Sequence, residues 1–161
     1  MENSIQLANR IREVFLNGTW VANTNYKDQL SGVSWQQTTI KIGTLNTIAV
    51  LTYHVNYYVQ GVLNVFEQDS LEIRDKFSFD CPEITSDIEW EKLNSLLWSN
   101  SKKLANEIEK YPNKKLDDIF VDEKYGTYIR NIEGLIEHSY YHLGQIVLIK
   151  KIIQSEHILS L

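Results

Sequence analysis

A chain of 161 residues with 43% hydrophobic and 23% charged side chains has the size and composition of one globular domain, which excludes the disordered and fibrous classes. Sixteen Lys and Arg against 21 Asp and Glu leave a net charge of −5, and no basic cluster interleaved with aromatics appears, so nucleic acid is excluded as the expected partner. Seven Gly and two Pro are too few for the turns of a long all-β chain, and the expected class is all-α.

A first helix is expected from Ser4 to Leu16, where Ile5, Ala8, Ile11 and Phe15 recur at helical spacing until Asn17-Gly18. Thr19 to Gly43 is polar and aromatic without a period. It reads as a long connection with room for a short helical turn, anchored by Trp20, Tyr26 and Trp35. A second helix is expected from about Thr44 to Glu67, because Leu45, Ile48, Leu51, Val55, Tyr58, Val62 and Phe66 step by three or four residues. Its β-branched content lowers helix propensity, so packing must hold it. Gln68 to Asp80 reads as a loop. Ser86 with Glu89 is a capping-box signature for a third helix, whose stripe of Trp90, Leu93, Leu97, Leu104 and Ile108 runs until Tyr111-Pro112.

After a polar connection from Asn113 to Gly126, a fourth helix is expected from about Thr127 to Gln154. On it Leu135, His138, His142, Ile146, Ile149 and Ile153 share one face, so two histidines lie inside the apolar stripe. Four amphipathic helices with two extended connections describe a single-domain four-helix bundle with at least one crossover, spanning residues 1–161. The lone cysteine, Cys81, has no partner for an internal disulfide. The N-terminal MENSIQLANRIREVF holds no continuous apolar run, and no stretch is long enough to cross a bilayer. A reducing, cytoplasmic location without a membrane partner is expected.

The chemistry concentrates at the histidines. His138 and His142 are one helical turn apart on one face, with about 6 Å between their α-carbons, so two imidazoles can meet one ion. His54 lies in the second helix's inward stripe and is the expected third ligand. The competing reading is three core histidines, each hydrogen-bonded to a carbonyl or a tyrosine; by spacing alone the two stand about even. His157, beside Glu156, is expected in solvent. Three imidazoles leave a further position on an ion for water, a thiolate or a substrate oxygen, the hallmark of a catalytic rather than a closed structural site. Glu133 and Glu137 are the nearby acid-base candidates; Glu137, about 100° from His138 around the helix, is expected to face solvent or a neighbouring helix rather than the ion. Tyr53, Tyr57, Tyr58 and Tyr141 flank the histidines. Tyr58, on the face of His54, is expected mainly to pack, with its hydroxyl satisfied. Gln145 is placed to orient an imidazole. Gly134 and Gly144 read as close-packing positions, with space for a substrate as the alternative at Gly134.

The segments TIAVLTYHVNYYVQG around His54 and GLIEHSYYHLGQI around His138 and His142, with the spacing between them and the chain length, resemble the DinB-like proteins of the DinB/YfiT superfamily. The resemblance covers most of the chain. It implies an up-down-down-up four-helix bundle with one divalent transition metal at one end, held by His54, His138 and His142, in a homodimer. Zinc or nickel is expected, with iron as a further candidate. It also implies a small-molecule substrate and, in some members, a low-molecular-weight thiol such as bacillithiol, mycothiol or glutathione. Two functions follow: a metal-dependent enzyme of the thiol-transferase or hydrolase type, or a non-catalytic, metal-stabilised ligand-binding or interaction protein. No residue is assigned a catalytic role.

Overall fold

Apolar periodicity becomes helix packing in a computed structural model that describes residues 3–159, with side chains from 3 to 155. Its helices are α1 (Ser4–Arg12), α2 (Tyr26–Leu30), α3 (Trp35–Thr39), α4 (Ile48–Gln68), α5 (Asp87–Lys110) and α6 (Tyr128–Leu159). No strand occurs among the described residues; Ile119 and Thr127 form one isolated bridge. Helix α5 packs against α1 and α4, while α6 packs against α4 and α1, so these four helices share one core. Leu7, Ile11 and Phe15 belong to it, as do Val55, Val59 and Leu63 from α4, Leu97, Leu104 and Ile108 from α5, and Ile132, Ile136 and Ile146 from α6.

The expected stripes of α5 and α6 are buried as read, with His138 half-buried. Helix α5 starts at the expected cap: Ser86 Oγ accepts from the Glu89 N–H. The Glu89 carboxylate closes the box one residue further back, accepting from the Thr85 N–H. These hydrogen bonds hold its carboxyl below the usual carboxylate range.

Three expectations shift. Helix α4 begins at Ile48 rather than Thr44, because the Thr47 hydroxyl accepts from the Val50 N–H and so caps it; Leu45 lies outside, exposed. In α1 the buried face is Ser4, Leu7, Ala8 and Ile11, and Ile5 is left in solvent. The expected first helix also stops being α-helical at Arg12 and widens into a π turn over Glu13–Asn17, which buries Val14 and Phe15. Gly18 ends that turn where a Cβ would lie 2.4 Å from the Glu13 Cα, so a side chain there would collide with backbone.

The connection after Gly18 holds two one-turn helices rather than one. Asn25 caps α2, and Ser34 with Gln37 forms a reciprocal box on α3. Of the three expected anchors, Tyr26 is fully buried, Trp35 is half-buried and Trp20 is 85% exposed. The Tyr26 ring packs 5.1 Å from Phe15, and its hydroxyl donates at 2.7 Å to the carbonyl of Ser139, on the α6 turn between His138 and His142. Trp90 Nε1 likewise donates to the Val33 carbonyl and ties this connection to α5. Tyr26→Phe is expected to cost about 1 kcal/mol of stability through the lost buried hydrogen bond; urea denaturation measures it, and an unchanged midpoint would remove the hydroxyl as an anchor.

Candidate metal centre

Helix α4 contributes His54 and α6 contributes His138 and His142; the three ligand nitrogens lie within 4.8 Å of one another, close enough to hold one metal ion. His138 Nε2 is 3.2 Å from His54 Nε2 and 3.0 Å from His142 Nε2. A tetrahedral ion with bonds of about 2.0–2.1 Å separates its nitrogens by roughly 3.3 Å. His54 and His142 are 4% and 6% exposed, while His138 is half-buried and faces outward more than its partners.

The remaining ring nitrogens define the tautomers. His54 Nδ1 lies 3.2 Å from the Ser78 carbonyl oxygen, which has no hydrogen to give, so Nδ1 is the donor and Nε2 carries a lone pair. His142 Nδ1 lies 2.7 Å from Gln145 Oε1 and donates to it, which leaves its Nε2 bare as well. Two lone pairs therefore point toward His138 Nε2. One nitrogen can carry only one hydrogen, directed along one line, so hydrogen bonding among neutral imidazoles satisfies one of the two short contacts and not the other.

Electrostatics keep the rings in their ligand form. Burial lowers the His54 pKa, with His142 adding to the effect. Burial, then His142 and His54, lower His138 to about 4. Burial lowers His142 against a smaller opposing effect of Gln145. All three are neutral near pH 7, with lone pairs available.

The segment after α4 folds back along that helix and delivers the Ser78 carbonyl. It passes close to Gly61, where a Cβ would lie 2.4 Å from Ile73 Cδ1, so only glycine lets the chain approach this closely without displacement. Tyr57 Oη then accepts from the Arg74 N–H at 2.9 Å, and Tyr58 Oη donates to Asp75 Oδ1 at 2.9 Å. Phe79 stacks on the His54 ring at 3.9 Å. Tyr58 meets the edges of both His54 and His138 at about 5 Å, and Tyr141 meets His142 at 4.9 Å. Tyr58 thus packs with its hydroxyl satisfied, as the sequence indicates, and burial and the Asp75 hydrogen bond raise its pKa. Nothing in the apolar pattern marks Ser78 or Phe79: Ser78 acts through its backbone carbonyl, and Phe79 sits in what reads as a plain loop.

Glu137 points away from the cluster to Arg130, with 3.4 Å between Oε2 and Nη1. Among the described residues no fourth His, Cys, Asp or Glu joins the three. The His157 side chain lies outside the described residues. Cys81 does not belong to the cluster, and burial pushes its thiol up to about 11. Gly134 and Gly144 do not serve close packing: a Cβ on either would meet nothing within 4 Å. Gly134 lines a cleft of about 430 Å³ that reaches His138 and is walled by Tyr58, Val62 and Leu135, with Tyr125, Arg130 and Asn131 at its margin.

Gln145→Leu is expected to weaken zinc binding about 10- to 100-fold, the usual effect of removing a group that orients a ligating histidine. Glu137→Gln is expected to leave it unchanged, and competition with a chromophoric chelator measures both. Equal losses in the two variants would mean general charge, not imidazole orientation, governs affinity.

No protein-family model matches the chain, and neither does any curated protein or any solved structure.

Proposed function

We propose that this chain is a DinB-like metal-dependent enzyme in which His54, His138 and His142 hold one divalent ion, zinc or nickel before iron, with a position open to substrate. The observation that carries the reading is the triangle of Nε2 atoms. Two of them are bared by hydrogen bonds at their Nδ1 atoms, and both converge on a third that can answer only one. A cation at the common point of the three lone pairs satisfies them together, and a carbonyl or amide oxygen holding the other nitrogen of a ligating histidine is the usual arrangement at metal sites. The ion would supply Lewis acidity, activating a thiol or a water as nucleophile. The protein's part is to orient the imidazoles through Ser78 and Gln145, to shield them with Phe79, Tyr58 and Tyr141, and to leave His138 facing a cleft.

The packing of α1, α4, α5 and α6 around one core supports an up-down-down-up bundle of this family. The reaction belongs to the small-thiol transferase or hydrolase class. Exposed Trp20, Val21 and Ile40 support a homodimer through the connection between α1 and α4, with light scattering as the check. Cys81 is a free thiol, and no helix among the described residues is long and apolar enough to cross a membrane; a cytoplasmic location is part of the same reading.

The deciding experiment is elemental analysis of protein made without an affinity tag, followed by thiol-transfer and hydrolysis screens of the loaded protein. One equivalent of metal with turnover in either screen is the expected result. A metal-free protein that binds none of the three ions would end the proposal. A tightly loaded protein that exchanges no ligand at the ion would leave the non-catalytic, metal-stabilised alternative in its place.

A further inference from the structure

The cleft beside His138 has chemistry of its own at both ends. Its near end is the His138 ring, and its walls are the Tyr58 ring, Val62 and Leu135. Its far margin carries Arg130 and Asn131, two turns before His138 on α6, or about 12 Å along the axis. The Arg130 side chain reaches along α6 to Glu137, the residue preceding that histidine, with 3.4 Å between Nη1 and Oε2. The contact is a single one of 3.4 Å between groups that are both more than half exposed, so it is weak and leaves the remaining guanidinium hydrogens unused. Between the two ends lies Gly134, where a Cβ would meet nothing within 4 Å, so the space beside it is open. A glycine in a helix interior is less favourable than an alanine. Neither a turn, a positive φ nor a close helix contact requires it here.

The geometry points to a substrate subsite for a small carboxylate with an apolar or aromatic body: the carboxylate on Arg130, the body over Gly134 between Tyr58 and Leu135, and the reacting end at His138. This rests on the metal-centre reading above. Arginine suits the role because its planar fork pairs with a carboxylate through two parallel hydrogen bonds, which the single skewed Glu137 contact does not use. The walls would reject a strongly hydrated substrate, and Arg130 is the one Lys or Arg among the residues that line the cleft, the local feature that would draw an anion there.

Two probes that differ by one group provide the test: phenylacetohydroxamate, whose hydroxamate chelates an accessible ion, and its 4-carboxy analogue. Titration calorimetry of the zinc-loaded full chain is expected to show the carboxy analogue binding about tenfold tighter. Arg130→Gln is expected to erase that preference while leaving phenylacetohydroxamate unchanged. Glu137→Gln, which frees the guanidinium, is expected to widen it. Gly134→Leu, which raises helix propensity and fills open space, is expected to weaken both probes at least tenfold with the zinc affinity intact. Equal affinity for the two probes in the parent, or a preference that survives Arg130→Gln, would overturn the carboxylate assignment. Full binding of both probes to Gly134→Leu would overturn the cleft. Zinc bound without either probe would instead remove the open position at the ion, and no zinc bound would remove the metal centre; each takes this subsite with it.

Discussion

His138→Ala is expected to lower zinc affinity at least 100-fold while leaving the helical signal of the protein intact. His138 is the only one of the three whose Nε2 lies within hydrogen-bond distance of both others, so its removal separates His54 from His142 rather than trimming one edge of a cluster. Two imidazoles on different helices then remain, and since loss of an orienting group alone costs about 10- to 100-fold, loss of a ligand must cost more. It is also the cleanest of the three to remove. His54 is nearly buried and stacked on Phe79, so His54→Ala also empties a packed position, whereas His138 is half-buried at the edge of a cleft. His157→Ala is the matched control and is expected to change affinity less than about threefold, because the sequence expects that histidine in solvent rather than at the ion. Chelator competition reads both; a His138→Ala protein that binds zinc within threefold of the parent would dismiss the three-histidine centre.

The sequence made this centre legible for a physical reason. A histidine inside an apolar stripe is conspicuous, because a buried imidazole needs partners for both nitrogens, and three in phase cannot easily be supplied separately. Helices α4, α5 and α6 were legible on the same basis, since 21 to 32 residues give several turns of a 3.6-residue pattern. Helices α2 and α3 have five residues each, too few for a period to emerge. Their only local signals are caps: Asn25 three before Asp28, and Ser34 three before Gln37, the latter a capping-box spacing in plain view. The π turn at Glu13–Asn17 keeps its apolar residues near helical spacing, so a periodicity reading runs straight through it.

What supports the histidines was less legible than the histidines themselves. Gln145 is visible because a side chain three residues from His142 has a fixed direction on a helix, but Ser78 offers only its carbonyl. Its placement depends on Gly61, Tyr57 and Tyr58 guiding the segment after α4 back along that helix, a set of contacts that no single-residue pattern encodes. Gly134 shows the opposite case. Glycine in a helix signals either close approach or open space, and only the surroundings decide between them; here they are open.

The pH dependence of the centre is expected to differ from that of free histidine. Three unperturbed imidazoles with pKa values near 6.5 would each lose about tenfold in available ligand at pH 5.5, or roughly a thousandfold together. Burial lowers all three here, with neighbouring imidazoles adding to the effect at His54 and at His138, which falls to about 4, so the neutral rings persist into acid and the zinc affinity at pH 5.5 is expected to fall by much less than that. The same shifts act on folding with a definite sign. A histidine whose folded pKa lies below its unfolded value binds protons more readily in the unfolded chain, so its contribution to stability is complete above about pH 6.5 and is lost as the pH falls toward the folded value, for His138 about 4. The metal-free protein is therefore expected to lose thermal stability steadily between pH 6.5 and 4.5. Bound zinc should delay that loss, because metal binding stabilises the folded chain by mass action as long as neutral imidazole is available to it. Thermal unfolding with and without zinc across this range, alongside chelator competition at pH 7.5, 6.5 and 5.5, measures both effects. A thousandfold loss of affinity at pH 5.5, or a metal-free melting temperature that stays flat down to pH 4.5, would show that the three rings are not held neutral by the helices that surround them.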